Sequence, residues 1–448
     1  MNPSILRIFY GGLLINLVNA AFFLIFNIFL AKQGYPDSDI AGIVSMRYLG
    51  VLLAAVPMGI WIKGRPLKGF FLTSAIALPL ISVAMILAVQ AEHRFLMHLL
   101  MLLWGAVYVV SKVCAIPFIL RHTRRRLQPE AISLNYSTWS LSMFLGGLLI
   151  VAIDAASLTA TWRNALGSWA EGEILLLFSV LGAFALLPYL KIRETHIPER
   201  ASSAGKTLVN RLSGDYDWWK IARALFPTTV LAVGAGLTIP FINLFFYQVF
   251  GVDSEDFSLL GAFTALLVFG GVITVPFVQK RFGYHISITL SQSIAVLLLV
   301  GLALTELFAH YAFAFYLALF FYLGRQPLMN IAAPMTNDLI MQYVGPKNHE
   351  IVASLISSIW SGGWFISGIL FKQMRNAQLP YYQIFLLTAA MYGIGVIAYN
   401  FLIRASAGQE AARKAESEAA ETLLRRRMDQ PGQPAADKGQ ELTGVKQS

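Results

Sequence analysis

Apolar segments close to the length of a membrane crossing run from Ile5 to Arg404 with little between them. A helix needs roughly 20 apolar residues to pass about 30 Å of hydrocarbon, and this chain has room for about twelve such segments. Of its 448 residues, 57% are hydrophobic and 13% charged. Soluble proteins carry about a quarter charged residues, so no large soluble domain is left. Only helices and closed barrels satisfy their backbone in lipid. Barrel strands alternate over about ten residues, whereas Ile174–Leu190 and Ile294–Leu304 are continuously apolar. The expected class is an all-α membrane protein.

The two halves of the chain repeat one another. Val56-Pro57 and Gly64 recur as Val275-Pro276 and Gly283, and Asn27, Asp37 and Ser38 recur as Asn243, Asp253 and Ser254. Ser137-Thr138-Trp139-Ser140 recurs as Ser358-Ile359-Trp360-Ser361. The matches keep their order at nearly constant offset, which predicts two pseudo-repeated six-helix bundles. Internal repeats of this kind imply alternating access around a central site. The expected divisions are a first bundle over 1–190, a linker over 191–223, a second bundle over 224–404 and a tail over 405–448. Span 7 is expected to begin at Ala224. The tail is expected to be largely disordered, with a surface helix from Ala411 to Arg427.

The net charge of +10 is not a nucleic-acid signal, because the positive charges collect in alternate loops. Lys63, Arg65 and Lys68 follow span 2, Arg121 and Arg124–Arg126 follow span 4, and Lys280 and Arg281 follow span 8. The opposite loops carry Asp37, Asp39, Glu171, Glu173, Asp253, Glu255 and Asp256. The positive-inside rule then places both termini in the cytoplasm, in an integral inner (cytoplasmic) membrane protein. Lys372 and Arg375 break this pattern on the outer side. Trp218-Trp219 beside Lys220 is expected to be an interfacial anchor. Met1–Ser4 lead directly into the first span, which predicts a retained helix rather than a signal peptide. The lone Cys114 permits no internal disulfide and no thiol metal site.

Two six-helix halves, a basic interior linker and a short basic turn after span 2 resemble the major facilitator superfamily over about Ile5 to Arg404. The family signature in that turn is Gly-x-x-x-Asp-Arg-x-Gly-Arg-Arg. Here Gly64 and Arg65 match it, while Trp61 stands in place of the acid and Pro57 in place of the first glycine. The second copy keeps Lys280, Arg281 and Gly283 and also lacks the acid. The resemblance implies that Gly64, Arg65, Lys280, Arg281 and Gly283 serve gating, without the acidic latch. It also implies a monomer that rocks about a midplane site. The Gly-Pro-rich span 5 of the family's drug–proton antiporters is missing, since Gly146-Gly147 have no neighbouring proline.

By the same resemblance, spans 1, 4, 7 and 10 line the central cavity. Polar residues fall on those spans: Asn16, Asn19 and Asn27 on span 1, Lys112 on span 4, Asn243 and Gln248 on span 7, and Arg325, Gln326 and Asn330 on span 10. A charge at the bilayer centre costs at least about 2.5–3.5 kcal/mol, so such residues are functional candidates by default. The substrate-binding candidates are Asn27, Lys112, Asn243, Arg325, Gln326 and Asn330. Lys112 and Arg325 are cations from different halves, with no carboxylate at matching depth. A substrate anion is the natural counter-charge, and the guanidinium fork suits carboxylate or phosphate. Snorkelling or pairing with helix carbonyls is the structural alternative. For Asn27 and Asn243, substrate contact and helix–helix hydrogen bonding stand level. Arg47 is expected to pair with Asp37 or Asp39. Trp139, Trp360 and Trp364 are expected to pack or to face lipid, and Asp338 to be a solvated acid near the cytoplasmic mouth.

Enzyme signatures are missing. Gly205-Lys206-Thr207 lacks the earlier glycine of a phosphate loop, with Arg200 in its place. The histidines form no relay along the spans, and no cofactor is implied. The expectation is a secondary active transporter of a small organic solute, with an anionic one favoured and a coupling ion such as a proton. The alternative is an exporter of hydrophobic drugs or natural products, with Phe245, Phe246, Tyr247 and Phe320-Phe321-Tyr322 lining a greasy cavity.

Overall fold

The computed structural model describes residues 3–62, 65–124, 127–157, 170–194, 216–345 and 348–428. Its regular elements are all helical among these residues. The first five crossings are α1 (Pro3–Lys32), α2 (Asp37–Trp61), α3 (Lys68–Gln90), α4 (Arg94–His122) and α5 (Gln128–Ser157). The sixth is α6 (Glu171–Ala183) with its short continuation α7 (Leu186–Leu190). The seventh joins α8 (Trp218–Thr238), a 3-10 turn (Ile239–Phe241) and α9 (Ile242–Phe250). Two crossings lie in α10 (Ser254–Leu304), and α11 (Ala312–Val344), α12 (His349–Asn376) and α13 (Tyr381–Met428) complete the set. The break inside α10 falls at Gly283, whose φ of 69° and ψ of 175° belong to a region that is essentially glycine's alone.

Eleven of these crossings are long and apolar enough to span a membrane. Helix α11 falls outside that set, because Arg325, Gln326, Asn330, Asn337 and Asp338 interrupt its apolar run. Acidic residues sit in the first turns of α2, α6 and α10, where negative charge complements the helix dipole. Asp217 caps α8 by accepting a 3.0 Å hydrogen bond from the Lys220 amide. This helix therefore starts at Trp218, inside the stretch expected to be linker. Trp218 and Trp219 are exposed there. The rest of the expected linker, from 195 to 215, lies outside the described residues. The helix expected over Ala411–Arg427 is present as a direct continuation of the last crossing.

The two most enclosed crossings are Pro3–Lys32 and Trp218–Phe250, the first of each half. The halves meet along α2 against α12 and α5 against α10. Gly147 makes the second contact possible: a Cβ there would lie 2.4 Å from the Ser258 carbonyl oxygen. Polar bonds between the halves gather at the end of the bundle that carries Asp37. The Asp37 carboxylate is buried and accepts from Arg375 Nη2 at 2.7 Å, Arg375 Nε at 3.0 Å, Tyr381 Oη at 2.6 Å and Gln248 Nε2 at 3.3 Å. Nearby, Lys32 Nζ bridges Glu171 at 2.6 Å and Asp253 at 3.0 Å. Ser254 Oγ donates to the same Glu171 at 3.0 Å. Arg375, which breaks the loop-charge pattern, thus has its partner in the other half of the chain.

Candidate functional site: a cavity between the halves

Below this closure lies a cavity of about 360 Å³ lined by both halves. The first half contributes Phe23, Leu24, Trp139, Ser140 and Met143. The second contributes residues of α8, α10, α11, α12 and α13, among them Tyr322, Arg325, Gln326, Met329, Asn330, Trp360, Trp364 and Tyr392. Three of the expected substrate-binding residues, Arg325, Gln326 and Asn330, are therefore brought together here. They follow one another along α11, which carries Pro327 and Pro334. Each proline lacks an N–H, so the carbonyls of Leu323 and Asn330 lose their helical donors. The Asn330 side chain donates to the Gln326 carbonyl at 2.9 Å.

Arg325 is 2% exposed. Its Nη2 donates to Tyr392 Oη at 3.2 Å, and its guanidinium carbon lies 5.5 Å from the centroid of the same ring. Its Nε is buried with no acceptor. No carboxylate among the described residues forms an ion pair with it. The Trp364 Nε1 is likewise buried without an acceptor. Two donors of the cavity wall are thus unsatisfied, and an unmade buried hydrogen bond costs about 1–3 kcal/mol.

Asn27 and Asn243 face each other instead of the cavity. Asn27 Nδ2 donates to the Pro240 carbonyl at 2.7 Å and to Asn243 Oδ1 at 2.9 Å. Asn243 Nδ2 donates to the carbonyls of Leu24 at 3.0 Å and Phe23 at 3.3 Å. Each repeat mate grips the backbone of the other's helix, so the structure places both in a clasp between halves. Lys112 is placed elsewhere too. It lines a small pocket within the first half with Asn16, Asn135, Thr138 and Tyr189, and its Nζ lies 5.5 Å from the Tyr108 ring centroid.

Arg47 does not pair with Asp37 or Asp39. Asp37 binds Arg375, and Asp39 binds Arg94 at 2.9 Å. Arg47 instead donates to Asn19 Oδ1. Its guanidinium lies 4.5 Å from the Trp104 ring centroid and 5.7 Å from those of Tyr48 and Tyr108. The polar chain continues from Asn19 Nδ2 to Tyr108 Oη at 2.9 Å and from there to Asn16 Oδ1 at 3.1 Å. It ends at Thr138, whose Oγ1 accepts from Asn16 Nδ2 at 2.7 Å. The reason is geometric. Asp37, Asp39 and Arg47 share one helix, and ten residues of helix span about 15 Å.

Of the gating candidates, Gly64 lies outside the described residues. Arg65 is exposed, with its guanidinium 5.4 Å from the Trp61 ring centroid. Arg121 donates to the Arg65 carbonyl at 3.0 Å and to the Ile62 carbonyl at 3.4 Å. A cation from α4 thereby holds the turn in which the family's acid is missing. Lys280 and Arg281 are exposed, and Gly283 makes the break described above. Asp338 is exposed and accepts from Gln342 Nε2 at 3.1 Å.

Trp139 and Trp364 pack as expected, against Phe23 and Tyr48. All three indoles also line the cavity, and the repeat match between Trp139 and Trp360 is the sequence signal for that shared position. Among the aromatics named for a greasy cavity, only Tyr322 lines it. Phe245 and Phe246 are buried in the core, and Phe320 is 63% exposed.

The Major Facilitator Superfamily family model matches residues 8–368, and the chain belongs to that family of secondary transporters. Among solved structures, a nucleoside transporter, NupG, is 14% identical, with 90% of this chain and 99% of that chain covered at a TM-score of 0.66. A D-xylose-proton symporter is 13% identical, covering 89% and 96% at 0.67. A bacterial homologue of the iron transporter ferroportin, in an inward-facing state, is 13% identical, covering 90% and 98% at 0.65. These likenesses establish the fold, that of a multi-pass membrane transporter. No curated protein sequence matches the chain.

Proposed function

We propose that the protein moves a small organic anion across the membrane by alternating access, with Arg325 as the partner of the anion. The observation that carries this is the buried guanidinium in the cavity wall, whose Nε lacks an acceptor. A bound carboxylate or phosphate supplies that acceptor and the counter-charge together. Gln326 and Asn330, on the same helix, offer amides to the rest of the solute. Lys112, Asn27 and Asn243 act away from this contact, Lys112 within its own bundle and the asparagines as a clasp.

The distribution of basic loops supports both termini in the cytoplasm. The closed end that carries Asp37 then faces outward, and the cavity belongs to an inward-facing state. Arg65, Lys280, Arg281 and the break at Gly283 sit at the cytoplasmic end, where rocking of the two bundles opens and closes the path. The carrier works as a monomer, and a coupling proton is borne by the solute's own carboxylate or by a group not among the cavity residues.

A thermal-shift screen of the purified protein against anionic, neutral and cationic metabolites and drugs tests the proposal, because a ligand of the folded state raises its apparent stability. Anionic hits that vanish in Arg325→Ala, and flux of the same solute into proteoliposomes, are the expected result. The indole-rich wall favours a second function, export of hydrophobic compounds. Hits confined to neutral or cationic lipophiles that survive Arg325→Ala select it and overturn the first.

A further inference from the structure

We propose that the solute is an aromatic monoanion, its ring received by the tryptophans of both halves and its single charge by Arg325; this rests on the anion function proposed above. Charge sets the first limit. Arg325 is the one charged side chain among the cavity-lining residues described. A monoanion neutralises it, whereas a dianion leaves a second charge in an apolar site with no partner.

The ring is the second limit. Trp139 comes from α5 in the first half, and Trp360 and Trp364 come from α12 in the second. Trp139 and Trp360 are repeat mates, so both bundles present an indole to the same space. Two of these rings are held by edge-on aromatic contacts. Phe23 meets Trp139 at 6.1 Å between centroids and 84°, and Tyr48 meets Trp364 at 5.0 Å and 73°. A merely greasy wall needs no indole N–H, yet Trp364 buries one without an acceptor. A ligand oxygen or the face of a ligand ring would satisfy it. The cavity of about 360 Å³ suits a solute of one ring and a short acidic arm better than an inorganic anion.

Calorimetric titration of the full chain with four probes tests this: phenylpropanoate, cyclohexylpropanoate, phenylpropanamide and lactate. Phenylpropanoate is expected to bind about tenfold tighter than its saturated analogue. Its margin over the amide should be at least as large. The double variant Trp139→Leu, Trp360→Leu should abolish the first ratio and keep the second. Arg325→Gln should do the reverse, with its melting temperature checked against the parent. Equal binding of the phenyl and cyclohexyl acids, with a weak amide, overturns the aromatic inference and leaves the anion function standing. Equal binding of phenylpropanoate and its amide overturns both. No binding by either aromatic probe overturns the inference, and lactate binding then keeps the anion function alone.

Discussion

Two buried arginines, one in each half, meet opposite fates. Arg47 of the first half sits in a box of Tyr48, Trp104 and Tyr108 and starts a hydrogen-bonded chain that ends at Thr138. Arg325 of the second half has one tyrosine, an idle Nε and a cavity in front of it. A cation whose surroundings already stabilise it is part of the fold. One whose surroundings are incomplete keeps a donor for the anion proposed above. The repeat that built the two halves therefore does not divide the chemistry equally. The first half supplies a closed polar network, and the second supplies the open one.

Substitutions can break or sharpen this contrast. The largest effect is expected at a third arginine. Asp37→Ala strips Arg375 of its carboxylate, and breaking a buried pair from one side costs about 3–5 kcal/mol. The loss falls on the closed state, so spin labels at the Asp37 ends of α2 and α12 should report a wider separation; an unchanged distance distribution refutes a role for the Asp37–Arg375 pair in holding that end closed. Next is Arg325→Gln. Anion affinity in a calorimetric titration should fall roughly 10- to 100-fold, as expected for a lost charged hydrogen bond, with little change in melting temperature. A collapse of thermal stability instead would make Arg325 a second Arg47.

Arg47→Leu should give the mirror image. It should cost about 2 kcal/mol of stability through the lost hydrogen bond and cation–π contacts, with solute affinity nearly unchanged. Thermal unfolding beside ligand titration separates the two outcomes. The smallest effect belongs to the clasp. Asn27→Ala and Asn243→Ala should each cost about 1 kcal/mol. The double variant should fall short of their sum, because the two side chains share one bond. Strict additivity in thermal unfolding would mean that the clasp does not act as a unit.

Much of this was legible in the sequence for physical reasons. Apolar length and the impossibility of open backbone in lipid fix the helical class, and the repeat fixes two bundles. Arg325, Gln326 and Asn330 stand out because polarity is conspicuous on a crossing helix, and they do meet at the cavity. Other features were hidden. An indole is equally at home against lipid, in packing or in a cavity, so beyond the repeat match of Trp139 with Trp360 nothing in the chain shows that these rings line the cavity. Lys112 looks like Arg325 along the chain, yet α4 turns it into a pocket of its own bundle. Nearness in sequence points Arg47 to Asp37 or Asp39, whereas Asp39 pairs with Arg94 and Asp37 with Arg375, far along the chain.

The charge of Arg325, the one charged residue among the described residues lining the cavity, has an electrical consequence under the proposed function. One elementary charge crossing the whole field changes energy by about 2.3 kcal/mol per 100 mV. On the function proposed above, the empty cavity wall would carry the Arg325 charge through part of that field at each reorientation. A bound monoanion would cancel that charge at the wall. This site would then add nothing to the voltage dependence of the loaded step, and its charge would bias only the return of the empty carrier.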